Sequence, residues 1–185
     1  MTQGLRRSLF ARGWKKHCFQ IEKTVDGKKK ESISHEIDHV KEFGQFTFAL
    51  EIEWNNKDPF FDRDLENFKR LHGDGVISMG CIITRGRSLH ESLREKVESF
   101  AKNNHIDNIS KLSTYYIPTP RQRTAIESAA VSKGSFEKGW AHTFVSDKFG
   151  EATTHWKKLE DRVRRGVGNP CPLLLIGIPA SALEV

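Results

Sequence analysis

Three carboxylates in the first third of the chain, Asp38, Glu51 and Glu53, have the types and the spacing to do chemistry together. From Phe46 to Trp54 the residues alternate: Phe46, Phe48, Leu50, Ile52 and Trp54 take one side, and Thr47, Ala49, Glu51 and Glu53 the other. That is the period of a β-strand. A strand predicted over Ser32 to Phe43 precedes it, with a turn at Gly44-Gln45, so pairing the two sets Asp38 across from the Glu51/Glu53 face. Like charges that close resist ionisation unless a cation sits among them. Mg²⁺ suits such a site, because it prefers oxygen ligands and keeps several waters. At a phosphodiester it would bind a scissile phosphate oxygen, lower the pKa of an attacking water and offset charge on the pentavalent transition state. This reading assigns Asp38 and Glu51 as Mg²⁺ ligands and Glu53 as the base or water-orienting group. Lys57, just past the strand, is placed either to neutralise the phosphate or simply to be solvated. On spacing alone, two glutamates alternating on a strand form its wet face. The upstream acid, the basic composition and the helix that follows at once favour the catalytic reading.

The elements that must hold these groups can be read around them. A short basic helix with Leu5, Leu9 and Phe10 ends at Gly13. A strand over residues 14–25, with Cys18, Phe19 and Ile21 apolar, meets a hairpin signal at Asp26-Gly27, followed by Lys28, Lys29 and Lys30. Beyond the carboxylate strand, Pro59 opens a helix with Phe61, Leu65, Phe68 and Leu71 or His72 on one side, stopped by Gly73 and Gly75. Val76 to Thr84 is nearly continuously apolar, as in a central strand covered on both faces. Ser88 and Glu91 have capping-box spacing for a helix that turns Leu89, Leu93, Val97 and Phe100 inward. Residues 104–150, with Pro118 and Pro120, read as irregular. A helix from Thr153 or Thr154, using Trp156, Leu159 and Val163, ends at Gly166 and Gly168, and Leu173 to Ile178 forms a last buried strand. The order predicts a fold of the α/β or α+β class, a mixed central sheet flanked by helices, in one domain over residues 1–185.

Composition sets bounds. A chain of 185 residues is long enough for a compact domain with a real core. Its net charge of +6 permits binding to a polyanion without demanding it. Cys18, Cys81 and Cys171 are odd in number and form no CxxC pair, which disfavours a zinc or dithiol site and suits small core residues in a reducing compartment. Met1 to Gly13 is basic and lacks the apolar run of a signal peptide. The longest apolar run, Leu173 to Ile178, is far short of a membrane span. The expectation is a soluble cytoplasmic protein.

His35-Glu36-Ile37-Asp38-His39-Val40, then Ala49-Leu50-Glu51-Ile52-Glu53-Trp54, resembles the core of the PD-(D/E)xK nucleases. More narrowly it is similar to the BglII, BstYI and BamHI branch of type II restriction endonucleases. In that branch the lysine of the motif is replaced, by glutamine in BglII and by glutamate in BamHI; Glu53 takes that place here. Phe60-Phe61-Asp62-Arg63-Asp64-Leu65 and Val76-Ile77-Ser78-Met79-Gly80-Cys81-Ile82-Ile83 resemble the branch's next helix and strand. The resemblance covers residues 5–100 and continues loosely to Pro172 to Ile178. It implies a restriction-endonuclease-like fold and a homodimer that cuts both strands of a short palindromic site in double-stranded DNA with a divalent metal. Two-fold protein symmetry would mirror the palindrome, and a cognate DNA methyltransferase is expected beside it. In the branch a further polar residue on the preceding strand lines the metal site, and Glu22 is the nearest match.

An enzyme of this kind needs phosphate clamps and base-edge contacts. Residues 115–142 offer Tyr115, Tyr116, Arg121, Gln122, Arg123, Ser132, Lys133 and Lys138. Arginine pairs with guanine and glutamine with adenine in the major groove, which makes Arg121, Gln122 and Arg123 the first candidates for readout; an exposed basic helix start is the alternative. Thr153, Thr154 and His155 form a helix start able to hold a phosphate, or a threonine N-cap with Trp156 in the core. Arg162, Arg164 and Arg165, like Lys28 to Lys30, either face phosphates or are solvated. His35 and Asp38, three apart on a strand, point to opposite faces, and no zinc-like histidine pair follows, which argues against a histidine–metal nuclease. Two other functions stay open: a nuclease directed by DNA structure or base modification, and a DNA-binding module whose site has decayed. The missing motif lysine favours the latter and the intact trio of acids opposes it.

Overall fold

The computed structural model describes residues 2–183. Helix α1 (Thr2–Ala11) leads into a long hairpin of β1 (Lys15–Val25) and β2 (Lys28–Phe43). Its two-residue turn holds Asp26 at φ 50° and Gly27 at φ 71°, the left-handed pair that favours Asp-Gly at a tight hairpin. Then come β3 (Phe46–Glu53), α2 (Pro59–Gly73), β4 (Met79–Arg85), α3 (Arg87–Asn103), the one-turn α4 (Ile109–Leu112), α5 (Pro120–Lys133), α6 (Phe136–Phe149), α7 (Trp156–Arg164) and β5 (Leu173–Ile178), closed by a 3-10 turn at Ala180–Ala182.

Sheet order equals chain order, β1-β2-β3-β4-β5. The first two pairings are antiparallel and the last two parallel. Antiparallel neighbours need only a turn, whereas parallel ones need a crossover. Helix α2 carries the chain from β3 to β4, and the stretch from α3 to α7 carries it from β4 to β5. The result is the mixed, helix-flanked sheet of an α+β fold that the element order predicts.

Alternation along the strands sorts their side chains between two cores. On one face Ala49 and Ile82 join Ile37 beneath Phe61, Leu65, Phe68 and Leu71 of α2 and Leu159 of α7. On the other, Leu50, Ile52, Cys81 and Ile83 meet Leu5 and Leu9 of α1, while Leu89 and Leu93 of α3 pack with Val145 of α6. Strand β3 is therefore covered on both sides, and its glutamates do not lie on a wet face. Helix α2 sits so close that a Cβ on Gly80 of β4 would stand 2.4 Å from the Phe68 ring.

Four expectations are corrected. Residues 104–150 are mostly helical: Thr119 and Gln122 form a reciprocal capping box at the start of α5, Gly134 ends it at φ 82°, and Ser135 caps α6. The Ser88/Glu91 box does not form, because α3 already begins at Arg87 with Gly86 in the cap position. Strand β5 is the sheet edge, and it leaves Leu174 and Ile176 exposed. Cys18 is exposed on the hairpin, while Cys81 and Cys171 are buried. Among the described residues no helix is long and apolar enough to cross a membrane.

Candidate active site

The β2–β3 register pairs His39 with Leu50, so the next step along the ribbon brings Asp38 opposite Glu51. The Asp38 backbone N–H donates to Glu51 Oε1 at 3.2 Å. Past the end of β3 the chain turns through Asn56 into α2, which lays Arg63 and Asp64 over the same strand end. Together these elements enclose an open cleft of about 520 Å³ whose lining includes Arg6, His35, Asp38, Glu51, Glu53, Asn56 and Arg63.

Glu51 is 6 % exposed, Glu53 2 % and Asp64 1 %. Burial, then the nearby charge of Asp64, pushes the Glu51 carboxyl up to about 8. Glu53 is raised by the same two causes, against the pull of Asn56 Nδ2, which donates to its Oε2 at 2.9 Å. The Asp64 carboxyl, within hydrogen-bonding reach of Glu53, is also raised by burial. Arg63 opposes this rise, donating from Nε and a terminal nitrogen to Asp64 Oδ1 at 2.9 and 2.7 Å. Asp38 is less buried, and its Oδ2 accepts from Arg6 of α1 at 3.1 Å. Four carboxyl groups thus share one strand end, with arginines at the mouth. An all-oxygen donor set of this kind fits a hard divalent cation.

The structure brings Asp38, Glu51 and Glu53 together. Lys57 is exposed, bridges Thr153 through its backbone and does not line the cleft. Glu22 stands on the exposed hairpin, ion-paired to Lys29, and does not line it either. Arg121, Gln122 and Arg123 occupy the first turn of α5. There Gln122 is used in the cap and in a bond to Asp147, and Arg123 donates to the Pro118 carbonyl at 3.3 Å. Lys133 is at the other end of that helix, ten residues on, about 15 Å away at the α-helical rise. Thr154 and His155 are buried, and the Thr154 N–H donates to the Asn56 carbonyl at 2.8 Å, which ties the start of α7 to the exit of the carboxylate strand. Arg162 is paired with Asp58 and Asp62.

Sequence reasoning missed Asp64, Arg63, Asn56, Arg6 and Arg85. For Asp64 a signal existed: it stands on the stripe Phe61, Leu65, Phe68, Leu71 of an amphipathic helix, where an apolar residue would be expected. Arg85, fully buried, donates to the carbonyls of Trp54 and Thr154 at 2.8 and 2.6 Å and to Thr153 Oγ1 at 2.7 Å. It clamps the end of β3 to the segment before α7. Beside it, His90, Glu151 and His155 offer ligand atoms within 4.8 Å of one another. The two imidazoles, however, stack with their planes 8° apart, and a ligated ion lies in the plane of each ring it binds. One ion cannot lie in two parallel, separated planes, and Arg85 already points at His90 Nδ1 from 3.1 Å.

A comparison with curated proteins gives no match. The model of one family, Restriction endonuclease BglII/BglIII, matches residues 1–178, which takes in every element from α1 to β5 and with them Asp38, Glu51, Glu53 and Asp64. The chain belongs to the BglII/BglIII restriction endonuclease family, DNA-binding nucleases that hydrolyse the phosphodiester backbone.

Proposed function

We propose that the protein is a type II restriction endonuclease that uses Mg²⁺ to hydrolyse both strands of a short palindromic DNA site, leaving 5′-phosphates. It would act as a soluble cytoplasmic homodimer, one domain per chain, with a cognate methyltransferase protecting host DNA. The observation that supports this most is the burial of Glu51 and Glu53 beside Asp38 at the floor of an open cleft. Carboxyl groups lifted so far above their usual range are poised for completion by a cation.

When bound, that cation supplies charge at the scissile phosphate and acidity to the attacking water. Asp38 and Glu51, cross-strand neighbours joined by the 3.2 Å hydrogen bond, would hold it. Glu53, with one oxygen fixed by Asn56, orients the water or takes its proton. Arg6 and Arg63, each half-exposed at the mouth, meet phosphate charge and so supply from α1 and α2 the positive charge that the strand motif lacks with Glu53 in place of its lysine. The Arg63 guanidinium lies 4.4 Å from the centre of the Phe60 ring, which limits its sweep.

Digestion of unmodified plasmid with and without Mg²⁺, followed by sequencing of the ends, tests the reading. Discrete fragments sharing one palindrome, with 5′-phosphates and only when Mg²⁺ is present, are expected. Tight DNA binding with no cutting in any divalent metal would refute it.

A further inference from the structure

We infer that Asp64, carried by α2 rather than by the sheet, is a direct ligand of the divalent cation, which it would meet from beside Glu53, the two acids sharing the Arg63 guanidinium. The inference rests on the reading of the cleft as a cation site and adds to it a residue outside the strand motif.

Asp64 is 1 % exposed. Both bonds from Arg63 converge on Oδ1. Oδ2 finds no donor among the described residues, although the Glu53 carboxyl lies within hydrogen-bonding reach. Two carboxyl groups facing each other in a buried place are satisfied in one of two ways, by a shared proton or by a shared cation. A buried oxygen with no donor is costly, and such groups in native structures call for a specific explanation, a bound ion among them. Position strengthens the case. Asp64 lies between Phe61, Leu65 and Phe68 on the buried stripe of α2, where a leucine would pack against the sheet and leave nothing unsatisfied. Its compensating cation, the Arg63 side chain, is half-exposed and leaves Oδ2 free. A purely structural ion pair would be expected to engage both oxygens in the bidentate form that arginine favours.

Binding of Mn²⁺ to the full chain without DNA, followed by loss of the free-ion EPR signal, tests this in wild type, Asp64→Asn, Glu51→Gln and the surface control Glu66→Gln. Wild type and the control should bind alike, with Asp64→Asn and Glu51→Gln each weaker by tenfold or more. Asp64→Asn should also melt at or above the wild-type temperature in EDTA, because it removes charge from a buried acidic cluster. Binding by Asp64→Asn within twofold of wild type, while Glu51→Gln loses it, would overturn the role of Asp64 and leave the cation site standing. Failure of the wild type itself to bind Mn²⁺ would overturn both. An Asp64→Asn protein that melts well below wild type in EDTA would also overturn the inference, by making Asp64 a structural partner of Arg63.

Discussion

Glu51→Gln is expected to stabilise the metal-free protein by an amount that grows with pH, while it removes cleavage. Burial and the charge of Asp64 raise the Glu51 carboxyl from an ordinary 4.5 to about 8. The folded protein therefore holds a proton that the unfolded chain has released. A raised folded-state pKa contributes stability that is fully present below the unfolded value and is lost as pH climbs through the folded one. The window runs from about pH 4.5 to about pH 8. At about 1.4 kcal/mol per unit, the loss between pH 5 and pH 8 is about 3–4 kcal/mol, and it levels off near 5 kcal/mol above pH 9. Glutamine carries no charge, and its amide oxygen can still accept the Asp38 N–H that Glu51 Oε1 accepts at 3.2 Å. The stability difference between Glu51→Gln and wild type should therefore widen by about 3–4 kcal/mol over that range. For a chain of this size this corresponds to about 7–14 °C in melting temperature. Urea denaturation followed by circular dichroism, in EDTA at pH 5, 6, 7 and 8, measures it. A difference that stays flat with pH would refute the argument, since it would mean that Glu51 is solvated and ionised in the folded protein. Adding Mg²⁺ at pH 8 should restore the wild type alone, by about 2.7 kcal/mol at a hundredfold excess over the dissociation constant.

Three further outcomes follow from the same geometry. Asp38→Asn should abolish cleavage while DNA still binds in a gel-shift assay; retained cutting would remove Asp38 from the site. Arg85→Met strands the buried carbonyls of Trp54 and Thr154, so it should destabilise by about 3 kcal/mol and lower the urea midpoint; an unchanged midpoint would show that the clamp carries no weight. Gly80→Ala drives a methyl into the Phe68 ring, 2.4 Å from the ideal Cβ, and should cost about 1–3 kcal/mol in thermal unfolding. A near-wild-type melt would mean that α2 can lift off the sheet, and the placement of Asp64 would then lose its rigidity.

What the sequence made legible was local. The alternation over residues 46–54 located β3 and its two glutamates, and Asp26-Gly27 located the hairpin turn, because strand period and left-handed turn residues act within a few positions. The last strand, Leu173 to Ile178, matches β5 residue for residue, yet its burial was misjudged, since nothing in a six-residue run says which strand ends at a sheet edge. Helix α5 was hidden for a different reason. Ile126 is the one buried residue of α5 and Val131 on the same helix is 87 % exposed, so there is no apolar stripe whose period could be read. The cleft itself divides in the same way. Asp38, Glu51 and Glu53 could be found because a turn joins their strands. Arg6 meets Asp38 across 32 residues and, outside the cleft, Arg85 meets Thr154 across 69, distances at which spacing carries no information.

The location of the cleft follows from a property of β3 alone. It is the strand at which the sheet changes from antiparallel to parallel pairing, with β2 on one side and β4 on the other. An antiparallel neighbour returns through a short turn and can deliver Asp38 across the ladder to Glu51. A parallel neighbour requires a helix between the strands, and that helix must cross over the strand end and cover it. The same crossover that buries Phe61, Leu65 and Phe68 therefore also buries Glu51 and Glu53 and sets Asp64 above them. Burial is what raises the carboxyl groups, so the cost of gathering them and their readiness for a cation have one cause. A variant that relieves the first, as Glu51→Gln should, must weaken the second. Stability without metal and cleavage with it are thus expected to move in opposite directions at every carboxylate under α2.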